Sequence, residues 1–422
     1  MNRVLSLSLM ILILGCKSLD QQNIESEDGH AEDKFYTINL SSIIENKREV
    51  PISEIADSIT YIRLESTGES ALGRIQDIKL TKEYIFIYAF GTPLLAQFDA
   101  KGKFLRFIGK VGKGPEEYDM IRQFSIDEEA GLIYIQPNWK RIIQVYSFAG
   151  DYVKSIKTNI DERAIIWSRD SILMCYSEPL VGNEEYIFKE INLHGQILQT
   201  VKNYNKWKDP PPFGRTRFYQ GQQFFYYLDN TLHFKGLYND TVYTYNQTNR
   251  IIPKFSLNLG EYKLPEEMIF ERGLVQRTPP KYLWVSVKES KNFVFIYFSA
   301  YDTDDSQGAG HGELNAGFAI YNKKEGSGIT LKSNYGKLIS FNTIGDWGFI
   351  NDFDGGPELV PEFTNDSLVY RHISSIEMKK YLSSDEFLNS SPKYQNLKRI
   401  LLKQMSDLKD TDNDILMIAK LK

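Results

Sequence analysis

Between residues 75 and 108 the apolar positions fall into four short runs, 75–80, 84–90, 94–98 and 104–108, separated by turn residues. Each run is about one strand long, and its aromatic and β-branched residues partly alternate with polar ones, the two-residue period of a half-buried strand. Four such runs joined by tight turns predict an antiparallel meander. The pattern then recurs: residues 121–126, 132–136, 141–148 and 152–156 form a second set, and 164–167, 172–176, 186–193 and 197–201 a third. Gly102, Gly150 and Gly195 sit in the last turn of each set, 45 to 48 residues apart. That is the period of a propeller blade.

Fainter sets continue the series. Residues 223–228, 231–237, 241–245 and 251–257 predict a fourth blade, and 282–288, 293–301, 318–321 and 329–332 a fifth. The sixth is assembled from 349–353, 368–373, 415–421 and a strand at 35–40. A ring must join its last blade to its first, and a strand from one terminus completing a sheet built from the other does so without leaving an edge. Residues 375–408 carry helical spacing (Leu397, Ile400, Leu401, Gln404, Leu408) and predict a helical insertion. The expected fold is all-β: a six-bladed β-propeller of four-stranded antiparallel blades, with terminal-strand closure and a helical insertion near the C-terminus.

Ahead of the repeats, Arg3 precedes an apolar stretch from Val4 to Leu14 that is too short to span a bilayer as an ordinary helix. It ends in Ile-Leu-Gly-Cys, similar to a bacterial lipobox, so the expected division is a signal peptide over 1–16, a polar acidic tether over 17–34 and the propeller over 35–422. Cys16 is the expected lipidation site. Several acyl chains at about 0.8 kcal/mol per buried CH₂ would anchor the chain stably. A plain signal peptide with a chance cysteine is the alternative. Lys17, where an inner-membrane-retaining Asp would stand, points to the outer membrane, facing the periplasm or the cell surface.

Composition narrows the function. Tyr and Phe are abundant, 26 and 25 residues, as half-buried sheets require. A net charge of −5 without any basic run excludes nucleic acid as the natural partner. With Cys16 spent on lipid, Cys175 in the apolar run ILMCY is left as an inert buried thiol and no disulfide framework exists.

Several local motifs then carry a family likeness. They are ITYIRLES at 59–66, F-D-x-x-G-K-F at 98–104, I-G-x-x-G-x-G-P-x-E-Y at 108–118, YNDTVYTY at 238–245, NDFDGG at 351–356 and the closing ILMIAKLK. Together with the N-terminal segment they resemble the six-bladed β-propeller lipoproteins of Bacteroidetes, whose repeats are NHL-like. The resemblance implies architecture and location. It implies no activity, since a fold hosts many functions.

In a propeller the blade-to-blade connections share a face with the turns between second and third strands, where ligands commonly bind. That face is expected to gather Lys113, Tyr118, Trp139, Lys140, Arg215, Arg217, Asp346 and Trp347, an inventory suited to stacking on and hydrogen-bonding a polar ligand such as a sugar. The glycines of 109–118 lack a following helix N-terminus, so they are read as shaping a tight blade crossing rather than a phosphate cradle. No HExxH or His-x-His spacing occurs, and no metal or cofactor is expected; His311, beside Asp304, Asp305 and Glu313, is the single histidine-based metal candidate, with calcium, in that loop or in the central channel, as the other option. Asp346, Asp352 and Asp354 are the carboxylates available for glycoside chemistry. The expected function is a non-catalytic binding or scaffold lipoprotein serving glycan or peptide uptake, or docking an envelope protein. The alternative is a propeller hydrolase or lyase acting on a carbohydrate or peptide.

Overall fold

The computed structural model describes residues 35–138, 140–158, 165–169, 172–176, 184–203, 206, 224–236, 239–245, 251–263, 281–302, 315–332 and 348–422. Six antiparallel sheets succeed one another along the chain as the blades of a propeller. Blade 1 comprises Arg74–Leu80, Tyr84–Phe90, Leu95–Asp99 and Phe104–Ile108; blade 2 comprises Ile121–Asp127, Leu132–Pro137, Ile142–Ser147 and Tyr152–Lys157. Blade 3 is built from Ile165–Arg169, Ile172–Tyr176, Tyr186–Asn192 and Ile197–Lys202, and blade 4 from Phe224–Leu228, Thr231–Lys235, Thr241–Tyr245 and Ile251–Asn258. Blade 5 holds Lys281–Glu289, Phe293–Asp302, Asn315–Asn322 and Ser327–Leu331. Blade 6 runs Phe363–Thr364, Leu368–Ile373, Ile415–Leu421 and finally Ala56–Arg63.

A blade cannot bury its two faces alone, and the core is accordingly divided into clusters that each bridge neighbouring blades. Phe86 and Leu95 of blade 1 meet Phe124 and Ile133 of blade 2. Val145 and Ile156 meet Leu173 and Cys175, and Tyr176 and Phe188 meet Leu232 and Phe234. Val242 and Phe255 pack on Val285 and Val294, and Phe295 and Ile320 on Val369 and Met417. Tyr370 and Leu416 of blade 6 then return to Ile78 and Ile87 of blade 1, so the ring is closed. Cys175 is fully buried within this core and burial pushes its thiol pKa up, as expected of an inert side chain.

The turn glycines have a second role beyond the turn itself. Gly102 and Gly195 adopt φ of +87° and +78°, the left-handed region that glycine tolerates. A Cβ on Gly102 would stand 2.2 Å from the carbonyl oxygen of Arg63, and one on Gly195 2.1 Å from that of Lys157. Each therefore lets the last turn of its blade press on the outer strand of the blade before it.

Closure differs from the sequence expectation in one strand. The strand that completes blade 6 is Ala56–Arg63, antiparallel to Ile415–Leu421, with Met417 opposite Tyr61. Residues 35–40 instead contribute Tyr36–Asn39, which runs parallel to Ile251–Asn258 on the outer edge of blade 4. The reason is direction and position: only the later segment runs antiparallel to the third strand and feeds directly into Arg74 of blade 1. Between the two, the helix Leu40–Glu45 leads to Lys47–Arg48, which pairs parallel with Ser327–Leu331 of blade 5. The N-terminal segment is thus a belt over three successive blades, with Ile38, Leu40, Ile52 and Val50 at most 2% exposed beneath it.

The NDFDGG sequence fastens this belt. Asp352 accepts from the backbone N–H of Ser53 at 3.0 Å and from its hydroxyl at 2.5 Å, while Lys393 reaches the same carboxylate at 2.8 Å. Asp354 accepts from the Tyr61 hydroxyl at 3.2 Å, the Asn351 amide at 2.6 Å and the Gly356 N–H at 2.8 Å. Because the chain turns here, residues 349–353 do not form the innermost strand of blade 6. Phe349 makes a single bridge to Leu359, and the short Phe363–Thr364 takes the inner place. The helical insertion is present as Ser375–Leu382, Asp385–Asn389 and Gln395–Gln404, the first opened by the Ser374 hydroxyl, which caps it by accepting from Glu377 N–H.

Candidate functional site

The first strands of the blades surround the propeller axis, and a cavity of about 1050 Å³ lies there. Its mouth is formed by turns between first and second strands (Glu128 and Glu129 in blade 2, Asp229 and Asn230 in blade 4, Asp366 in blade 6). This is the face opposite the one that the loop inventory singled out. The rim is tied together locally: Glu128 accepts from Lys82 N–H at 2.7 Å, and Asp366 accepts from Asp229 N–H at 3.0 Å and, through its carbonyl, from Lys291 N–H at 3.0 Å. Asp229 and Asn230 both sit at positive φ, +49° and +56°, as a two-residue hairpin turn of the primed type demands.

Inside, two lysines face the space. Lys79 lies 3.3 Å from Asp77, two residues earlier on the same strand, and 5.9 Å over the Phe124 ring. Lys288 is 5.3 Å from the Phe363 ring centroid and 3.4 Å from the Pro361 carbonyl. Removal from water pushes the Lys288 pKa down to about 8, against the pull of Glu362 and Asp77. Glu362 itself accepts the backbone N–H of His372 at 3.0 Å. The His372 imidazole lies 3.6 Å from Glu362 and 2.6 Å from Asp414. Burial lowers the His372 pKa, but Asp414 and Glu362 outweigh it and the net displacement is upward. The wall also holds the Tyr370 hydroxyl, donating to Ile78 O at 3.3 Å, and Ser125, whose buried hydroxyl has no hydrogen-bond partner among the described residues.

Behind the wall, between blades 4 and 5, a buried ionic network stiffens the cavity. The Tyr226 hydroxyl donates to Glu289 at 2.5 Å, Lys254 lies 3.1 Å from the same carboxylate, and Lys323 pairs with it as well. Burial raises the Glu289 pKa, but Lys254 and Lys323 outweigh it and hold the carboxyl below its usual range. His233 stacks on Tyr226 with centroids 5.2 Å apart, and burial beside Lys254 pushes its pKa down to about 3. This imidazole is neutral and structural.

The sequence-predicted site residues divide three ways. Cys16, Trp139, Arg215, Arg217, Asp346 and Trp347 lie outside the described residues, as do His311 and its acidic neighbours. Lys113 is exposed, and Lys140 is partly buried with its ammonium 3.1 Å from Glu117 O. Tyr118 is not on a ligand face. It is 0% exposed, donates to Ile108 O and accepts from Leu95 N–H at 3.2 Å, and its ring covers Gly109 at the joint of blades 1 and 2.

The 109–118 crossing also explains its own glycines. The Glu117 carboxylate fills the loop, accepting Gly114 N–H at 2.9 Å, where a Cβ on Gly112 would overlap it at 2.0 Å. Gln144 and Tyr146 hold the carbonyls of Pro115 and Glu116 at 2.9 and 3.0 Å. The loop encloses its own anion and has no room for a phosphate. Asp352 and Asp354 are committed to the belt, and among the described residues no three His, Cys, Asp or Glu side chains converge as a metal site would require.

A family model covers residues 35–420, the entire propeller. The chain belongs to the family described as Domain of unknown function (DUF4934). No curated protein matches it. Among solved structures, a protein assigned as exported from Bacteroides fragilis NCTC 9343 is similar at 14% identity and a TM-score of 0.60, over 92% of this chain and 99% of that one. A DUF4221 family member from Bacteroides vulgatus is similar at 11% identity and a TM-score of 0.50, over 89% and 98%. At these identities the likeness carries the propeller fold alone.

Proposed function

We propose that this DUF4934 protein is a non-catalytic binding protein of the cell envelope, anchored through lipid on Cys16, that holds a polar ligand in its axial cavity. The observation that carries the reading is the cavity itself: about 1050 Å³, just above the ~300–1,000 Å³ typical of small-ligand pockets, with charged groups set among aromatic rings. The cavity wall is stiffened by the Glu289 network, so little ordering is spent on binding. The apolar segment ending at Cys16 supports export and an outer-membrane anchor.

Two measurements test the two halves. Cys16→Ala should move the protein out of the detergent phase on fractionation; unchanged membrane association would sink the anchor. A thermal-shift panel of oligosaccharides and short peptides should find ligands that stabilise the protein, by about 2.7 kcal/mol at a hundred times Kd. Ligands whose effect is indifferent to substitution of Lys79 and Phe124 would place binding elsewhere.

A further inference from the structure

We propose that the axial cavity takes a short peptide, carboxylate inward at Lys288 and amino end outward among the carboxylates of the mouth. The inference rests on the reading of the cavity as the binding site and names its ligand class.

Three features carry it. The first is the state of Lys288. Its ammonium is partly buried, and its contacts among the described residues are a 3.4 Å carbonyl and an aromatic ring, with no ion pair among them. The carboxylates that could neutralise it are engaged: Glu362 with His372, and Asp77 with Lys79. A cation drawn out of water without a counter-ion is costly, and an incoming carboxylate removes that cost with a charge-assisted hydrogen bond. A neutral sugar cannot. The second is Ser125, on the wall formed by the first strand of blade 2. It is 8% exposed, and its hydroxyl, without a hydrogen-bond partner among the described residues, lies just beneath the cavity surface, a donor and acceptor that rotation about χ1 would present to a peptide backbone.

The third is polarity along the axis. Asp127, Glu128, Glu129, Asp229 and Asp366 gather at the mouth, while the lysines lie on the cavity wall. A ligand negative throughout, such as an oligouronate, meets like charge at the entrance, and a simple cation leaves Lys288 unsatisfied. A zwitterion with its charges at opposite ends fits both. Between them Phe124, Phe363 and Tyr370 offer apolar wall for side chains.

Calorimetric titration of the full chain with the tetrapeptide Lys-Ala-Tyr-Ala tests this. Its C-terminal amide, its N-acetyl form, trigalacturonate and maltotetraose serve as comparison ligands. Binding of the free acid should weaken about tenfold or more on amidation, and equally in Lys288→Met, while Lys288→Arg keeps most of the affinity. N-acetylation should weaken binding less, by about threefold, with the difference fading in high salt. Melting curves of both Lys288 variants confirm that each is folded before titration. Equal binding of acid and amide, or an unchanged Lys288→Met, overturns the proposal. Trigalacturonate binding more tightly than the peptide overturns the peptide and keeps the carboxylate. Maltotetraose binding that ignores Lys288 but is lost in Phe124→Ala leaves the cavity as the site and removes the ligand class. No heat from any ligand, with the NMR signal of ¹³C-methylated Lys288 unmoved, overturns the proposal and the cavity reading together.

Discussion

The seam between the last blade and the first can be probed at a single carbon. Gly102 and Gly91 both lie in turns of blade 1 at positive φ, +87° and +89°. A Cβ at Gly91 meets nothing within 4 Å, whereas at Gly102 it lies 2.2 Å from Arg63 O, on the closing strand. Substitution by alanine costs both sites the left-handed backbone, about 1–2 kcal/mol. Only Gly102→Ala must also push the turn and the closing strand apart by about 1 Å, an overpacking cost of about 1–3 kcal/mol. Gly91→Ala should therefore lose about 1–2 kcal/mol and Gly102→Ala about 2–5 kcal/mol. Urea unfolding followed by circular dichroism reads the difference from the midpoints, given equal m values. Hydrogen exchange should show amides of Ala56–Arg63 losing protection in Gly102→Ala alone. Equal losses in the two variants would refute the seating of blade 1 on the closing strand.

Other outcomes follow from the same contacts. A chain beginning at Pro51 should keep a closed ring but melt lower, having lost Ile38, Leu40, Ile43 and Ile44 from the edges of blades 4 and 5, whereas one beginning at Glu65 loses the closing strand and should aggregate. Gel filtration with a thermal melt separates them, and equal behaviour would refute the assignment of Ala56–Arg63. The raised His372 pKa gives stability that is complete below its unfolded value of about 6.5 and is lost as pH rises through the folded value. The stability difference between wild type and His372→Gln should shrink as pH rises from 6 to 9, and a constant difference would exclude the Asp414 and Glu362 pairing. His233 runs the other way, costing stability as pH falls from about 6.5 toward 3, so His233→Gln should flatten the acid limb; an acid limb as steep as the wild type's would refute its neutral state.

The propeller was legible because its signal is local and repeated. In the first three blades a glycine stands where the last turn touches the neighbouring blade, and Gly102, Gly150 and Gly195 record that need at one period. Closure was half legible. Two N-terminal strands compete for the last place, and only strand direction and distance to Arg74 distinguish residues 35–40 from Ala56–Arg63. The two-residue strand Phe363–Thr364 is too short for any hydrophobic period to mark, so the stronger run at 349–353 displaced it. Tyr118 illustrates the ambiguity of an aromatic among glycines, which reads as a binding side chain but serves as a buried joint.

The cavity was not legible for a different reason. Asp77 and Lys79 alternate with apolar neighbours in RIQDIKL, and Lys288 follows Val287 in KYLWVSVKE, the same mark that a solvated sheet face leaves. Only the ring turns that edge inward. The signal that could have found them is charge on the first strand of a blade, since that strand is the innermost of its blade. Asp352 and Asp354, by contrast, looked like chemistry and hold the belt: burial raises the Asp352 pKa, but Lys393 and Ser53 outweigh it, whereas burial prevails at Asp354.

The proposed ligand site lies on the axis and opens between the turns of first and second strands. A crystal structure of the protein grown with Lys-Ala-Tyr-Ala tests it most directly. Peptide density is expected within the cavity, its terminal carboxylate within hydrogen-bond distance of Lys288 Nζ. Density on the opposite face, beside Lys113 and Lys140, with the cavity holding only water, would contradict it.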